Sequence, residues 1–435
     1  MEGDGPEEGE ALVLTTQRPD ESTRIWTSTQ PLWGPAFTLE GYLGRERRQQ
    51  HIPLARDGGL VPRLLTLGGD SSSSATTPAS GAIAAAATDG DNDANDAENG
   101  AEKPRPILSS CETLRKRIAY ASGSAPPRIG HAYGVGSVFT PPESRGRGYA
   151  GKMLSALADA LTDTDGHGNE RVDGNGDREG AVASVLYSDI GKQFYGRLGW
   201  QPFASAHVEF PASAGQPVPS SVALLGDEDL PALAARDEQL ILSELQNNTT
   251  DTNNSNNSNS GNSGNSGSSK KTRVALLPDV DTLRWHLARE AFTCESLHAK
   301  VPSAHGALHA CPDGSRVWVV WQRNYSSAVT DPPDQNNKLY ILRLVVENPR
   351  LPDDDLRAAL DGVLGAARRE AAAWWCAKVE MWNPDARTRR VVEGLEGWQA
   401  KHVDRESDSI ASLRWFGQGS TDDVEWIANE KFGWC

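Results

Sequence analysis

The chain has 435 residues, more than a single ordinary core of ~100–200 residues accommodates, so two domains are expected. Its formal net charge of −16 argues against broad binding to nucleic acid or to anionic membranes, because either partner selects a basic face. The five cysteines form no C-x-x-C pair, and no apolar stretch of ~18 residues could span a bilayer. We therefore predict a cytoplasmic protein with reduced thiols, no bound metal, no membrane segment and no nucleic-acid partner.

Three polar segments interrupt the chain, at residues 70–102, 163–180 and 247–269. They are rich in Ser, Asp, Asn and Gly and contain almost no large apolar side chain. Because such composition cannot offset the entropy of ordering, we interpret them as loops or disordered inserts. Their removal leaves an N-terminal domain at 11–213 and a C-terminal domain at 214–435.

The first informative element is a strand over residues 129–140 that contains Gly134 and Gly136. Two glycines within a strand favour a bulge or the close approach of a ligand. Pro141 and Pro142 end this strand, and residues 145–150 read R-G-R-G-Y-A. A helix follows, because the next apolar residues recur at helical spacing: Ala150, Met153, Leu154, Leu157 and Leu161.

The turn at 145–150 suits a diphosphate. The first N–H groups of a helix have no internal partner and carry the positive end of its dipole. Gly146 and Gly148 would let the backbone wrap an anion, and Arg145, Arg147 and Lys152 add positive charge. The alternative is an exposed basic turn that merely precedes an ordinary helix. The G-x-x-x-x-G-K-[ST] and G-x-G-x-x-G phosphate motifs are both absent from this position.

A second strand–helix unit follows, with a buried strand predicted at 181–187 and a short helix at 192–198. Residues 193–200 read Q-F-Y-G-R-L-G-W. We interpret Phe194 as a packing residue. Tyr195 either packs in the same way or reaches the cleft where two neighbouring strands separate.

The R-x-x-G-x-A turn followed by F-Y-x-x-x-G-W resembles the GNAT superfamily of acetyl-CoA-dependent N-acetyltransferases. The resemblance implies an α+β fold with a mixed sheet split into a V and acetyl-CoA lying in the opening. It further implies that Tyr195 protonates the departing CoA thiolate. The residues implied to bind the cofactor are Val138, Phe139, Thr140, Arg145, Gly146, Arg147, Gly148, Tyr149 and Ala150.

Four further segments, 109–116, 137–143, 186–192 and 425–432, are similar to the fungal lysine N6-acetyltransferase family. That similarity covers both halves of the chain. It implies free L-lysine as the small-molecule amine substrate and a role in lysine degradation.

The second half repeats part of the first, with strands at 317–321 and 339–347, a helix at 353–373 and a strand at 378–382. The position of the cofactor turn reads R-L-P-D-D-D at 350–355, without glycine. Its three carboxylates would repel a diphosphate, and we interpret Asp353 as a helix cap. We therefore predict a degenerate GNAT-like α/β module that does not bind CoA.

The expected reaction is direct attack of the amine on the thioester within a ternary complex. No general base is identified; Glu143 and Glu209 are candidates by residue type alone. A free lysine substrate would require an arginine for its carboxylate and an acid for its α-ammonium group. Two alternatives remain open, a protein or peptide N-acetyltransferase and a non-catalytic module that binds CoA or an amino acid.

Overall fold

The computed structural model describes residues 11–68, 104–123, 125–162, 180–215, 217–247 and 271–434. Except for residues 180 and 247, the three predicted inserts lie outside the described residues. Helices and strands are numbered separately below, each in chain order.

The first sheet contains nine strands among the described residues. Its central order is β1-β2-β3-β4-β5-β15-β6; β9 pairs with the far end of β3, and β16 pairs with β9. The β4–β5 and β9–β16 pairs are parallel and the others are antiparallel. The bounds are β1 (Leu12–Thr16), β2 (Leu60–Leu67), β3 (Ser109–Ser122), β4 (Arg128–Phe139), β5 (Ala183–Ser188), β6 (Gln201–Pro202), β9 (Thr272–Leu276), β15 (Ile410–Trp415) and β16 (Val424–Trp426).

The second sheet has seven strands in the described residues, in the order β14-β7-β13-β12-β11-β10-β8. Its one parallel pair there is β12–β13. The bounds are β7 (Ala206–Pro211), β8 (Val222–Leu225), β10 (Gly306–Ala310), β11 (Arg316–Asn324), β12 (Lys338–Val346), β13 (Lys378–Trp382) and β14 (Lys401–Asp404).

Helices flank both sheets, and two of them connect the parallel strand pairs: α3 joins β4 to β5, and α7 joins β12 to β13. The α3 side chains predicted to form an apolar face are buried from Met153 to Leu161, which confirms the helical spacing. The bounds are α1 (Pro19–Trp33), α2 (Leu39–Gln49), α3 (Tyr149–Leu161), α4 (Gln193–Gly196), α5 (Leu230–Asn247), α6 (Val280–His298), α7 (Asp353–Ala373) and α8 (Ala386–Glu393).

The predicted V-shaped split is confirmed between β4 and β5. Their parallel pairing ends at Val135 opposite Leu186, although β4 continues to Phe139 and β5 to Ser188. A register shift against β3 marks a bulge in β4, where Ser137 has a positive φ of 52°. The strands therefore separate beside the bulge, which leaves backbone edges free for a ligand.

The second module is confirmed as a partial copy, since β11, β12, α7 and β13 repeat the strand–strand–helix–strand order of the first. The interpretation of Asp353 as the cap of α7 is wrong. Pro352 occupies the N-cap position, and Asp353 is the first helical residue and forms an ion pair with Arg387 at 2.7 Å. A carboxylate in the first helical turn still opposes anion binding there.

The two halves exchange strands. β7 precedes residue 213 but lies in the second sheet, between β13 and β14. In return, β15 lies in the first sheet, between β5 and β6. The division between the sheets thus does not coincide with the predicted boundary at 213/214.

A shared apolar core lies between the two sheets. It brings Ile118 and Trp415 of the first sheet together with Trp318 and Leu342 of the second, all at most 9% exposed. Full burial of one large apolar side chain stabilises a fold by roughly 1.5–3 kcal/mol, so this layer holds the halves together.

Candidate active site

A cavity of about 460 Å³ opens where β4 and β5 separate. Val138 and Tyr195 line it from the first half of the chain. Arg289, Tyr340 and Lys431 line it from the second half. Strand exchange and the shared core hold the two halves of the chain against each other. Both halves therefore contribute to the wall of the cavity.

The predicted cofactor turn lies directly before α3. Gly146 and Gly148 have positive φ angles of 77° and 74°, which L side chains rarely adopt, and a Cβ at either position would meet nothing within 4 Å. Within the described residues, the backbone N–H groups of 146–151 have no acceptor. This open cradle of unpaired donors at a helix N-terminus fits an anionic diphosphate.

The other residues predicted to bind the cofactor differ in which of their groups remain available to a ligand. Val138 lines the cavity, whereas the buried Phe139 ring packs edge-on against Trp33 at 6.3 Å between centroids. Thr140 is anchored through its hydroxyl, 3.1 Å from Ser109 Oγ, and its carbonyl accepts from Arg145 Nε at 3.1 Å.

At the start of α3, the side chain of Tyr149 is buried in the core, and Ala150 is half-buried. Tyr149 therefore offers a ligand its backbone only. Arg147, by contrast, is exposed, so its charge is available to an anion at the turn.

Tyr195 reaches the cavity from the short helix α4. The side chain is 8% exposed, and the Phe194 ring packs edge-on against it at 5.0 Å. Burial, with the nearby carboxylate of Asp189, raises the pKa of Tyr195 above its usual value. The hydroxyl therefore stays protonated at physiological pH and retains a proton to donate.

Glu112 on β3 is the carboxyl group that sequence reasoning missed. It lines the cavity and accepts a hydrogen bond from Ser137 Oγ at the β4 bulge, at 2.8 Å. Burial, with the neighbouring Glu46 carboxylate, raises the pKa of Glu112 to about 7. No local signal marks this residue, because Glu46 and the cavity are brought to it only by folding.

The two carboxylates considered from the sequence do not line this cavity. Glu143 is exposed on the 142–144 turn. Glu209 lies on β7 in the second sheet, where Lys378 Nζ donates to it at 2.5 Å.

The segment at 431–434 supplies another group that the sequence did not reveal. The Lys431 ammonium lies over the rings of Tyr340, Trp382 and Trp434, at 4.5, 4.3 and 4.2 Å from their centroids. The residue is 4% exposed, and burial lowers its pKa to about 7 against the attraction of Glu380. Lys431 and Trp434 both line the cavity.

One group in the described residues has donor atoms close enough for a metal ion: His207, Glu209 and Glu380. Both carboxylates are already paired with lysines, Glu209 with Lys378 and Glu380 with Lys338 at 3.0 Å. Absence of a metal therefore stays a prediction.

The cysteines within the described residues, Cys111, Cys294, Cys311 and Cys376, are free and buried. Burial raises the pKa of Cys111 to about 12, so its thiol is not a ready nucleophile. Across the described residues, no helix has both the length and the apolar composition needed to cross a membrane.

The model of the LYC1 GNAT-like C-terminal domain matches residues 207–435, more than half of the chain. A lysine acetyltransferase of Yarrowia lipolytica is 22% identical over 370 residues, covering 75% of this chain and 84% of that protein. An uncharacterized protein of Saccharomyces cerevisiae, YGR111W, is 23% identical over 355 residues, covering 75% and 76%.

Two solved structures are similar at lower identity. A GCN5-related N-acetyltransferase from Kribbella flavida superposes with a TM-score of 0.44 at 14% identity, covering 93% of this chain and 71% of that one. The Saccharomyces cerevisiae N-myristoyltransferase superposes with a TM-score of 0.47 at 7% identity, covering 95% and 81%.

Proposed function

Since the chain belongs to the GNAT-like family described by the LYC1 C-terminal domain, we propose that it transfers acetyl from acetyl-CoA to the N6 amine of free L-lysine. The observation that carries the proposal is the cavity of about 460 Å³ that joins the β4 bulge to side chains of the second half. This volume suits a small molecule. The distant lysine acetyltransferase relative supports lysine as that molecule.

Acetyl-CoA would supply the reactive thioester, and the residues present fit it. The unpaired N–H groups at 146–151, with Arg147 beside them, would hold its diphosphate. The β4 edge at 136–139, left unpaired where β5 turns away, would hydrogen-bond the pantetheine. Backbone N–H around Val138 would polarise the thioester carbonyl.

The amine must lose a proton before it attacks. An ε-ammonium group has a reference pKa near 10.4, so its neutral form costs about 4.6 kcal/mol at pH 7. Glu112, with a pKa of about 7, is a stronger base than an ordinary carboxylate and faces the cavity. We assign it the role of general base, acting directly or through one water molecule.

The remaining step exchanges two bonds. The amine nitrogen forms a bond to the acetyl carbon, and the carbon–sulfur bond breaks to release a CoA thiolate. The protonated hydroxyl of Tyr195 would donate to that thiolate, and Glu112, after passing the first ammonium proton to solvent, would accept the second proton that the nitrogen loses after attack. Transfer of this second proton from Glu112 to the Tyr195 oxygen restores the starting state, so each cycle yields the amide, the CoA thiol and one proton released to solvent.

The proposal is tested by incubating the protein with acetyl-CoA and free L-lysine, following CoA thiol release and N6-acetyllysine together. We expect both products in equal amounts. Release with a lysine peptide but not with free lysine would replace the proposal with a peptide N-acetyltransferase. Binding of acetyl-CoA without release in the presence of any amine would favour a non-catalytic module.

A further inference from the structure

The guanidinium of Arg289 lines the cavity with most of its donors unused. Arg289 lies on α6, and Nη1 donates one hydrogen bond, to the neutral side chain of Gln49 at 3.2 Å. Its guanidinium carbon stands 5.4 Å from the centroid of the Trp434 ring. In the part of the chain that the structure describes, no carboxylate oxygen comes within 4.0 Å of it. A guanidinium has five N–H donors, so an anion at this place would find partners ready.

The other arginines that line the cavity are different. Arg45 donates to Glu46 through both Nε and Nη2. Arg323 is fully buried and pairs with Glu290 at 2.8 Å and with Glu370. Their charges are already neutralised inside the protein. Arg289 is thus distinguished from them by its lack of a carboxylate partner.

Arg289 also carries an electrostatic cost that a bound anion would relieve. Burial, with the repulsion of Arg45, lowers the pKa of Arg289 to about 10. A partly buried cation with one neutral partner is destabilised relative to water. A carboxylate bound in two-pronged fashion would restore both the charge balance and the hydrogen bonds.

Arg289 and the proposed base, Glu112, both line the cavity. The charge of Arg289 lowers the pKa of Glu112, and the charge of Glu112 raises the pKa of Arg289, so the two side chains interact electrostatically. A free amino acid with a terminal amine carries a carboxylate at one end and the acceptor nitrogen at the other. For such a substrate, Glu112 offers a base for the amine and Arg289 a cation for the carboxylate within one cavity.

Lys431 is the other cation that could serve an anion in this cavity. Its ammonium is already covered by three aromatic rings and attracted by Glu380, Asp408 and Asp189. Carboxylates also lie near Arg289, namely Glu46 and Glu112, so the two cations differ in their aromatic cover: three rings lie against Lys431 and one against Arg289. The geometry therefore favours Arg289.

We propose that Arg289 binds the α-carboxylate of the substrate and so restricts the enzyme to free amino acids with a side-chain amine. The inference rests on the proposed acetyl transfer to an amine in this cavity. A lysine that is followed by another residue in a peptide has no free α-carboxylate, and L-lysinamide lacks it in an otherwise identical molecule. Arg289 then determines substrate class without taking part in bond exchange.

The test compares L-lysine with L-lysinamide in the full chain and in two variants, Arg289→Gln and Arg284→Gln. Arg284 is a matched control on the same helix, since its guanidinium is paired with Asp227 at 2.7 Å. In the unaltered protein, lysinamide should have a KM roughly 30- to 100-fold above that of lysine, with similar kcat. Arg289→Gln should raise the KM for lysine by that factor and leave the lysinamide value unchanged. Arg289→Lys should restore part of the difference, and Arg284→Gln should leave both values unchanged.

Equal kcat/KM for lysine and lysinamide in the unaltered protein would overturn the role of Arg289 and leave amine acetylation standing. The same conclusion follows if Arg289→Gln keeps the full discrimination. If no amine is acetylated, the proposed function fails, and calorimetric binding of lysine and lysinamide in the presence of CoA decides the role of Arg289. Equal affinity for the two ligands, or none, would then overturn it.

Discussion

The basicity of Glu112 depends on its surroundings, since burial and the Glu46 carboxylate raise its pKa to about 7. A general base must be ionised, so kcat/KM should rise with pH through this value. This rise forms the acidic limb of the pH profile, and the substrate ammonium titrates near 10.4, well above it. Glu112→Gln should lower kcat/KM by roughly 10²- to 10⁴-fold and remove the limb near pH 7, measured with saturating acetyl-CoA.

Glu143→Gln is the matched control for Glu112. This carboxylate is exposed and does not line the cavity, so the variant should keep both the rate and the pH profile. Retention of the limb near pH 7 in Glu112→Gln would remove Glu112 from the role of base.

Tyr195 should matter after the amine has attacked. Tyr195→Phe removes the proton donor and keeps the ring that packs against Phe194. We expect kcat to fall by roughly 10²-fold while the Kd for acetyl-CoA, measured by calorimetry, stays within about twofold. Unchanged kcat from pH 6 to pH 9 would exclude Tyr195 as the acid.

Lys431 should make stability depend on pH. Its folded pKa of about 7 lies below the ordinary 10.5, so between these values the unfolded chain binds more protons than the folded chain. The contribution of Lys431 to folding free energy therefore becomes more favourable as pH rises from 7 to 10.5, by up to about 1.4 kcal/mol per pH unit.

Lys431→Met isolates this contribution, because methionine fills a similar aromatic-lined space without titrating. Urea unfolding at pH 7 and pH 9 should show that the unaltered protein gains stability relative to Lys431→Met at the higher pH. A stability difference that is the same at both pH values would show that the lysine titrates normally.

At the scale of an element, the N-terminus of α3 is the proposed binding site for the diphosphate of acetyl-CoA. Gly148→Ala forces a side chain onto a φ of 74°, which costs roughly 1–2 kcal/mol, and adds a Cβ to the cradle. We expect acetyl-CoA to bind about tenfold more weakly, with stability reduced by that cost. Calorimetry and urea unfolding measure the two effects.

The matched control is Gly365→Ala, in the corresponding helix α7 of the second module. Gly365 has room for a Cβ and lies within an ordinary helix, so the change should stabilise the protein by roughly 0.5–1 kcal/mol. It should leave acetyl-CoA affinity unchanged. An unaltered Kd in Gly148→Ala would argue against binding at this turn.

Elements were predictable where the pattern is local. The apolar spacing on α3 and the apolar run of β5 follow directly from residue order, and both elements are present. Gly134 and Gly136 indicated the bulge at Ser137. They did not indicate a cavity beside Glu112, because the sequence of β3 does not show which face of that strand the second half of the chain covers.

At the scale of the whole molecule, the exchange of β7 and β15 couples the two halves. Each sheet lacks an internal strand without the other half, so neither is expected to melt alone. Scanning calorimetry should show one transition with equal calorimetric and van't Hoff enthalpies. Two resolved transitions would contradict the coupling.

Leu413→Ala is a sharper form of this test. Leu413 lies on β15, late in the chain, but is fully buried within the first sheet. The change should destabilise the protein by roughly 2–5 kcal/mol and shift the whole transition to lower temperature. A shift confined to part of the transition would indicate independent halves.

The sequence by itself determined the strand–turn–helix at 128–161, the Arg145–Ala150 turn and the partial repeat in the second half, because each depends on residues that are near one another in the chain. Tertiary structure decided which groups line the cavity: Glu112, Arg289 and Lys431 come from β3, α6 and the last described segment, which are distant in the chain and meet only when it folds. The raised pKa of Glu112 and the lowered pKa of Lys431 belong to that second category. Both arise from desolvation and neighbouring charges, which exist only once distant segments are packed together.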